Sequence, residues 1–377
     1  MCRSNIHCAC MDWKNTEGTL SCSWRAPMAT IKDVADYAGV SMMTVSRVVN
    51  NSKKVSPKSR AKVMAAIEAL DYSPNMFARG MVTGKSKTIG VMYSNLKNWI
   101  YADQIKGIEE VAIQRGYGVL LANIYDRESA MSAITMLSQM KVDGIIVLPM
   151  ESYEASTTEQ ALSAINELNH IHECIRAYFE QKDAKLGVAA GSLFLQDVLP
   201  LVEYDYYQGC KLAVDYLFDC GYTDIVYVSS LWDEGIWHTR QQAYTDAMTE
   251  HSCADRICVL HTLNVTNGCG DCACIRQYIQ ENGVPRAVLC ANDHIAVDVI
   301  RVAQDLHISV PAEMAVMGQD NLQIGEMVHP RLSTVDIHGE ENGRAAATLL
   351  LNRIEMMDEQ TDYMSIGQSL CVRQTTE

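Results

Sequence analysis

No apolar run in the 377 residues approaches the roughly eighteen that a membrane-crossing helix needs, so the chain does not read as a helical membrane protein. The first 27 residues are polar and irregular and lack the apolar core of a secretory signal. Without such a signal, the fourteen cysteines read as reduced cytosolic thiols, not as a disulfide framework. Neither GxxxxGK followed by Ser or Thr nor GxSxG occurs, which removes the phosphate-cradling loop and the nucleophile elbow. No heptad tail follows the last α/β rhythm to clamp dimers into tetramers. Net positive charge is missing too, at −15 for the whole chain.

That charge is unevenly spread. Between Met28 and Gly90 there are ten lysines or arginines against four acids, and the remainder is strongly acidic. A basic head on an acidic body suits a chain that meets a polyanion with one part and stays soluble through the other. Met28-Ala29-Thr30-Ile31 also reads as a second, more natural start, which makes 1–27 a disordered leader or a misplaced start.

The head has a helical grammar. Thr30 is an N-cap, and Ile31, Val34, Ala35 and Ala38 then form one apolar stripe. Gly39 permits a tight turn, Val40 plugs the core, and Ser41 caps a second helix burying Val45, Val48 and Val49. Ser56-Pro57 starts a third, with Val63, Ala66, Ile67 and Leu70 inward. Two short helices joined by a glycine turn and braced by a third describe a helix-turn-helix, whose second helix begins at the base edges. Met42, Met43 and Arg47 are the readout candidates. Arg47 can bond guanine or phosphate, and the methionines offer apolar contact to thymine methyls. Lys53, Lys54, Lys58 and Arg60 suit phosphates. A three-helix domain with merely solvated lysines is the competing interpretation.

Met28 to Ala35, Ala38-Gly39-Val40-Ser41, Thr44 to Asn50, Tyr72 to Asn75 and Ala78-Arg79 together closely resemble the head of the lactose-repressor (LacI/GalR) family. The resemblance implies DNA contacts from Thr30, Ser41, Met42, Met43, Thr44, Ser46, Arg47, Asn50 and Lys53. It also implies a hinge helix after Ser73-Pro74, too short to stand alone in water, that folds on the operator with Met81 wedged into the minor groove. Met81 stands where leucine is usual and Gly80 where a better helix former is common. Glycine costs about 1 kcal/mol inside a helix, so this hinge is expected to fold less readily.

From Lys87 onward, short apolar runs alternate with helical stretches: Thr88–Met92, Tyr117–Leu121, Asp143–Leu148, Asp224–Val228, Arg286–Cys290 and Met314–Gly318 are the strands. Helical crossovers between them predict doubly wound parallel sheets in a two-lobed α/β body, with ligands at the carboxyl ends of strands. Gly107–Glu110, Val142–Ile146, Ala291–Asp293, Gly318–Asn321, Pro330–Val335 and Val372–Gln374 carry the family resemblance into a body similar to periplasmic sugar-binding proteins. It is good across 28–152 and 203–377 and poor across 153–202, which lacks the Asp-Arg expected after its strand. The implied division is a head at 28–73, a hinge at 74–86 and an effector-binding and dimerisation body at 87–377, its chain crossing between lobes near 192, 335 and 362.

Carried over by position, the effector cleft is lined by Ile100 and Tyr101 and, from the far lobe, Arg240, Asn292 and Asp320. Asp320 can accept two hydroxyl hydrogen bonds, Arg240 can donate a pair, Asn292 can do both, and Tyr101 offers a ring face. The plainer alternatives are that Asn292 caps the next helix and Arg240 makes a surface ion pair. Gln319 replaces an aromatic, so the effector is not assigned by analogy. Cys269, Cys272 and Cys274 near His261 lack the spacing of a standard zinc fold. The expectation is a homodimeric, non-enzymatic repressor of the cytoplasm and nucleoid, without metal or cofactor, binding operator DNA and a sugar-like or other polar metabolite, with a tetramer left open. The alternative is a solute-binding protein with a non-functional head.

Overall fold

Helix α1 (Ile31–Ala38) begins where two residues cap each other: the Asp33 carboxylate accepts from the Thr30 N–H at 2.7 Å, and the Thr30 hydroxyl accepts from the Asp33 N–H at 3.3 Å. Gly39 ends it in the left-handed conformation, φ 61°, which costs glycine little. Helix α2 (Met42–Val49) starts at Ser41, whose hydroxyl accepts from the Thr44 N–H at 3.2 Å. Helix α3 (Pro57–Ala69) has Ser56 as its cap and proline in its first turn. Val34, Val45 and Val63 are fully buried where the three helices meet, each contributing roughly 1.5–3 kcal/mol.

The computed structural model describes residues 29–49, 54–72, 85–94, 96, 99–150, 158–181, 184–230, 236–262, 272–357 and 360–377. They belong to two units that divide between Arg79 and Gly80. Among the described residues, no helix is long and apolar enough to cross a membrane.

The larger unit has two lobes. In the first, β1 (Thr88–Tyr93), α4 (Trp99–Gln114), β2 (Gly118–Asn123), α5 (Arg127–Gln139), β3 (Gly144–Val147), α6 (Thr158–Phe179), β4 (Leu186–Ala190) and β5 (Leu201–Tyr204) follow in turn. The second takes α7 (Tyr206–Asp219), β6 (Ile225–Ser230), α8 (Ile236–Glu250), β7 (Cys258–Thr262), α9 (Ala273–Asn282), β8 (Ala287–Cys290), α10 (Asp293–Asp305), β9 (Ala315–Met317) and a short α11 (Ile324–Met327). After β10 (Thr334–Asp336) the chain returns to the first lobe as α12 (Gly339–Ile354) and β11 (Tyr363–Ile366). β12 (Ser369–Cys371) then pairs antiparallel with β10.

The first sheet runs β11-β5-β4-β3-β1-β2 and the second β7-β6-β8-β9, with every neighbouring pair parallel. The near-continuous apolar strands Ile89–Tyr93, Ile145–Val147 and Ala287–Cys290 are buried, as strands covered on both faces must be. The chain crosses between lobes at Asp205, at Ile337–His338 and at Gly367. The first crossing comes later than the expected 192 because Leu201–Tyr204 is still a strand of the first sheet, paired with β4 and β11. The last likewise follows β11 and so falls beyond 362.

Helices α4 and α12 touch backbone to backbone. A Cβ on Gly107 would lie 2.1 Å from the Glu340 carbonyl oxygen, and one on Gly343 2.0 Å from that of Gln104. Beside this contact Gln104 Nε2 donates to Asn342 Oδ1 at 2.8 Å, and Asn342 Nδ2 donates to the Val202 carbonyl at 3.2 Å. The start of α12 is thereby held against the start of α4 at the carboxyl edge of the sheet, where a ligand of an open α/β sheet would sit.

Candidate functional site

In the head, the residues expected to meet DNA divide by what they already do. Thr30, Ser41 and Thr44 are engaged in the caps that start α1 and α2. Met42 and Met43 are 53% and 63% exposed although they are large apolar side chains at a helix start. Arg47 is exposed one turn further on, and Ser46 is half-buried. Lys54 and Lys58 are exposed and Arg60 half-buried. The buried side of the same helix is Val45 and Val48. An apolar pair and a guanidinium thus stand exposed on this helix, residue types able to meet methyl groups and guanine or phosphate oxygens. Asn50, Lys53 and Met81 lie outside the described residues.

In the body, a cavity of about 330 Å³ opens where the lobes meet, walled by Ile100 and Asp103 from α4, by Asp320 and Asn321 after β9, and by Ile337 and His338 at the second crossing. Asp320 on its wall is backed by Arg240, the two side chains being 7% and 2% exposed. One guanidinium nitrogen donates to Asp320 Oδ1 at 2.5 Å and the other to the Ala291 carbonyl at 2.5 Å. The guanidinium also lies over the Tyr206 ring, 4.5 Å from its centroid. Burial works against the Arg240 charge, but the Asp320 carboxylate and the tyrosines outweigh it and hold the guanidinium protonated. Burial raises the Asp320 carboxyl, and the facing Arg240 moderates the rise.

Asp320 is fixed by its backbone as well. Its φ of 111° is a conformation that side chains rarely adopt. Its N–H donates to the Val335 carbonyl at 2.8 Å, tying β9 to β10. Such strain costs of order 1–3 kcal/mol and persists where neighbours over-determine it. Asp293 braces the same corner: its carboxyl oxygens accept from the Leu322 N–H at 2.6 Å and from the Thr334 hydroxyl at 2.5 Å. Burial and, second, the Asp320 charge push the Asp293 carboxyl well above its ordinary range.

Of the five residues expected in the cleft, the structure brings Ile100 and Asp320 to the cavity wall, while Arg240 lies behind Asp320 and bonds it without lining the cavity. Tyr101 is a correction. It is 1% exposed in the core of the first lobe, with its hydroxyl donating to the Pro149 carbonyl at 2.9 Å. The reason is helical phase: Tyr101, Gln104, Ile105, Ile108 and Ala112 share the face of α4 that packs on the sheet. Asn292 follows the plainer of its two readings and caps α10, accepting from the Ile295 N–H at 2.8 Å. Gln319 is buried, and its amide donates to the Cys290 carbonyl at 3.2 Å, joining the ends of β8 and β9. Sequence reading missed Tyr206, Asp103 and Asp293. Tyr206 could have been found from Tyr204-Asp205-Tyr206, an aromatic cluster at a strand's carboxyl end, had that strand been recognised.

Comparison with known proteins agrees with this architecture. Residues 30–75 match the family described as bacterial regulatory proteins, lacI family, and residues 214–376 match a periplasmic binding protein-like domain. The catabolite control protein A of Priestia megaterium is 31% identical over 92% of this chain and 99% of its own length. The ribose operon repressor of Escherichia coli (strain K12) is 29% identical over 92% of this chain and 99% of its own. Among solved structures, the lac repressor dimer bound to operator and an anti-inducer aligns with a TM-score of 0.72 at 24% identity, covering 93% of this chain and 99% of that one. A helix-turn-helix head and a two-lobed parallel α/β body, matched nearly end to end by such a relative, make this chain a DNA-binding regulator of the LacI family.

Proposed function

We propose that the chain is a transcriptional repressor whose hold on its operator is set by a small polar effector, a sugar or related metabolite, bound between the lobes. Residues 28–73 form the head, 74–86 the hinge and 87–377 the effector-binding and dimerisation body. Two subunits side by side present two heads to a near-palindromic operator. Effector binding changes the separation of the lobes and with it the approach of the two hinges, so the two sites are thermodynamically coupled. Such a regulator works in the bacterial cytoplasm, on the nucleoid.

The observation that carries this reading is the start of α2, where Met42 and Met43 stand out from a helix whose other face closes the head's core. A head retained only as a relic has no reason to keep both its caps and an apolar outward face. Asp320 on the cavity wall, held by Arg240 behind it, supports a ligand rich in hydroxyl groups, because its carboxylate can accept from two of them.

Selection of genomic fragments by the purified full chain, followed by anisotropy titration of the best fragment over a range of salt, tests the reading. A palindromic site bound with steep salt dependence is expected. No enrichment, with candidate sugars and nucleobases present, would transfer belief to a solute-binding protein with an idle head.

A further inference from the structure

Cys272 and Cys274 flank the first residue of α9. Cys272 precedes the helix and is 1% exposed in the core of the second lobe, while Cys274 sits in its first turn and is half-buried. Their sulfurs are 3.6 Å apart, in van der Waals contact. Residues two apart in a helical turn have Cα atoms roughly 5.5 Å apart, inside the roughly 4.4–6.8 Å that a disulfide spans. Cys272 makes no side-chain cap to the helix, so its thiol is turned to its neighbour. Among the described residues, no third metal-ligating side chain joins them.

The two thiols are unequal. Cys274 is held below the ordinary thiol range by the Cys272 S–H and then by backbone N–H groups at the helix start. Cys272 is raised by giving that hydrogen bond and by burial. Cys274, half-buried, is also the more accessible of the two to a small oxidant, and the 1% exposed Cys272 lies against it.

We propose that Cys272 and Cys274 form a dithiol that hydrogen peroxide oxidises to a disulfide, with Cys274 attacking and Cys272 resolving. The Cys274 thiolate attacks one peroxide oxygen and breaks the O–O bond. The departing hydroxide takes a proton and leaves as water, and Cys274 becomes a sulfenic acid. The Cys272 sulfur then attacks the Cys274 sulfur, its proton leaving with the displaced hydroxide as a second water. Two thiols are oxidised, one peroxide is reduced, and a thiol reductant reverses the bond. The site lies in the lobe that carries Arg240, and Cys272 shares its core with Cys290, whose next residue holds Arg240 by its carbonyl.

The test uses the full chain, reduced and then treated with peroxide, with alkylation of the remaining thiols and tandem mass spectrometry. The Cys272–Cys274 link is expected to form ahead of oxidation at any other cysteine and to disappear with dithiothreitol. In Cys272→Ala the Cys274 sulfenic acid is expected to persist and be captured by dimedone, whereas Cys274→Ser leaves Cys272 reduced. The proposal is overturned by a link from Cys274 to another cysteine, or by a pair still fully alkylated at the end. A sulfinic acid at Cys274 beside an alkylated Cys272 in the unmutated chain overturns it as well.

Discussion

At the scale of single residues, the cavity wall is backed by a buried charge pair, Arg240 and Asp320. Removing one partner of such a pair strands the other, at a cost of about 3–5 kcal/mol, because Arg240 would lose the carboxylate that balances its buried charge. Asp320→Asn is therefore expected to lower the melting temperature of the body and abolish the effector's influence on operator affinity. Operator affinity without effector should stay within a few-fold; an unaltered effector response would remove Asp320 from the site. In the head the balance is reversed. Arg47 is exposed and closes no core, so Arg47→Ala should leave the melting profile alone. Specific operator affinity should fall by about 1–3 kcal/mol if the guanidinium pairs with a guanine. Anisotropy against specific and scrambled duplexes separates that loss from a general phosphate effect.

At the scale of elements, α6 carries a pH liability. His172 stacks on Phe194 with ring centroids 3.7 Å apart, and burial lowers its imidazole to about 4 from 6.5. The unfolded chain takes up that proton near pH 6.5, but the folded chain does not until about 4. Stability from this position is complete above pH 6.5 and drains away as pH falls toward 4. His172→Phe should keep the stack and flatten that decline, as thermal unfolding across the window would show; an equal decline in both proteins would place the liability elsewhere. The contact of α4 with α12 is the other sensitive element. A methyl at Gly343 meets a carbonyl oxygen 2.0 Å away, so Gly343→Ala should push the helices apart. A cost of roughly 1–3 kcal/mol is expected from overpacking. Because the cavity wall is built on the starts of these helices, its effector affinity should weaken with its stability.

At the scale of the whole molecule, charge separates by position: a basic head on an acidic body. Operator affinity should therefore fall steeply with salt, whereas effector affinity, resting on a buried pair, should hardly move. Effector and operator must also alter each other's affinity by the same factor, typically 5- to 150-fold. Calorimetric titration of effector with and without operator, and of operator with and without effector, measures both sides of that equality; a factor of one on each side would mean that the two sites are not coupled.

Much of this was legible before the fold was known, because its signals are local. Caps at Thr30, Ser41 and Ser56, the turn at Gly39, and the alternation of apolar strands with amphipathic helices each depend on residues within a few positions of one another. They were enough to give the head, the parallel sheets and the outward face of α2. Arg240 and Asp320, 80 positions apart, were found only through resemblance to a family. What the sequence could not determine was the direction of side chains whose surroundings come from distant segments. Tyr101 turned into the core because the phase of α4 set it against the sheet, and Asn292 spent its oxygen on the helix that follows. The strand Leu201–Tyr204 was invisible as a strand because its meaning comes from β4 and β11, one of them more than 150 residues away. That distant pairing moved the first crossing between lobes and put Tyr206 under Arg240. Local propensity determines elements; only tertiary packing decides which polar groups are already satisfied and which remain to meet a ligand.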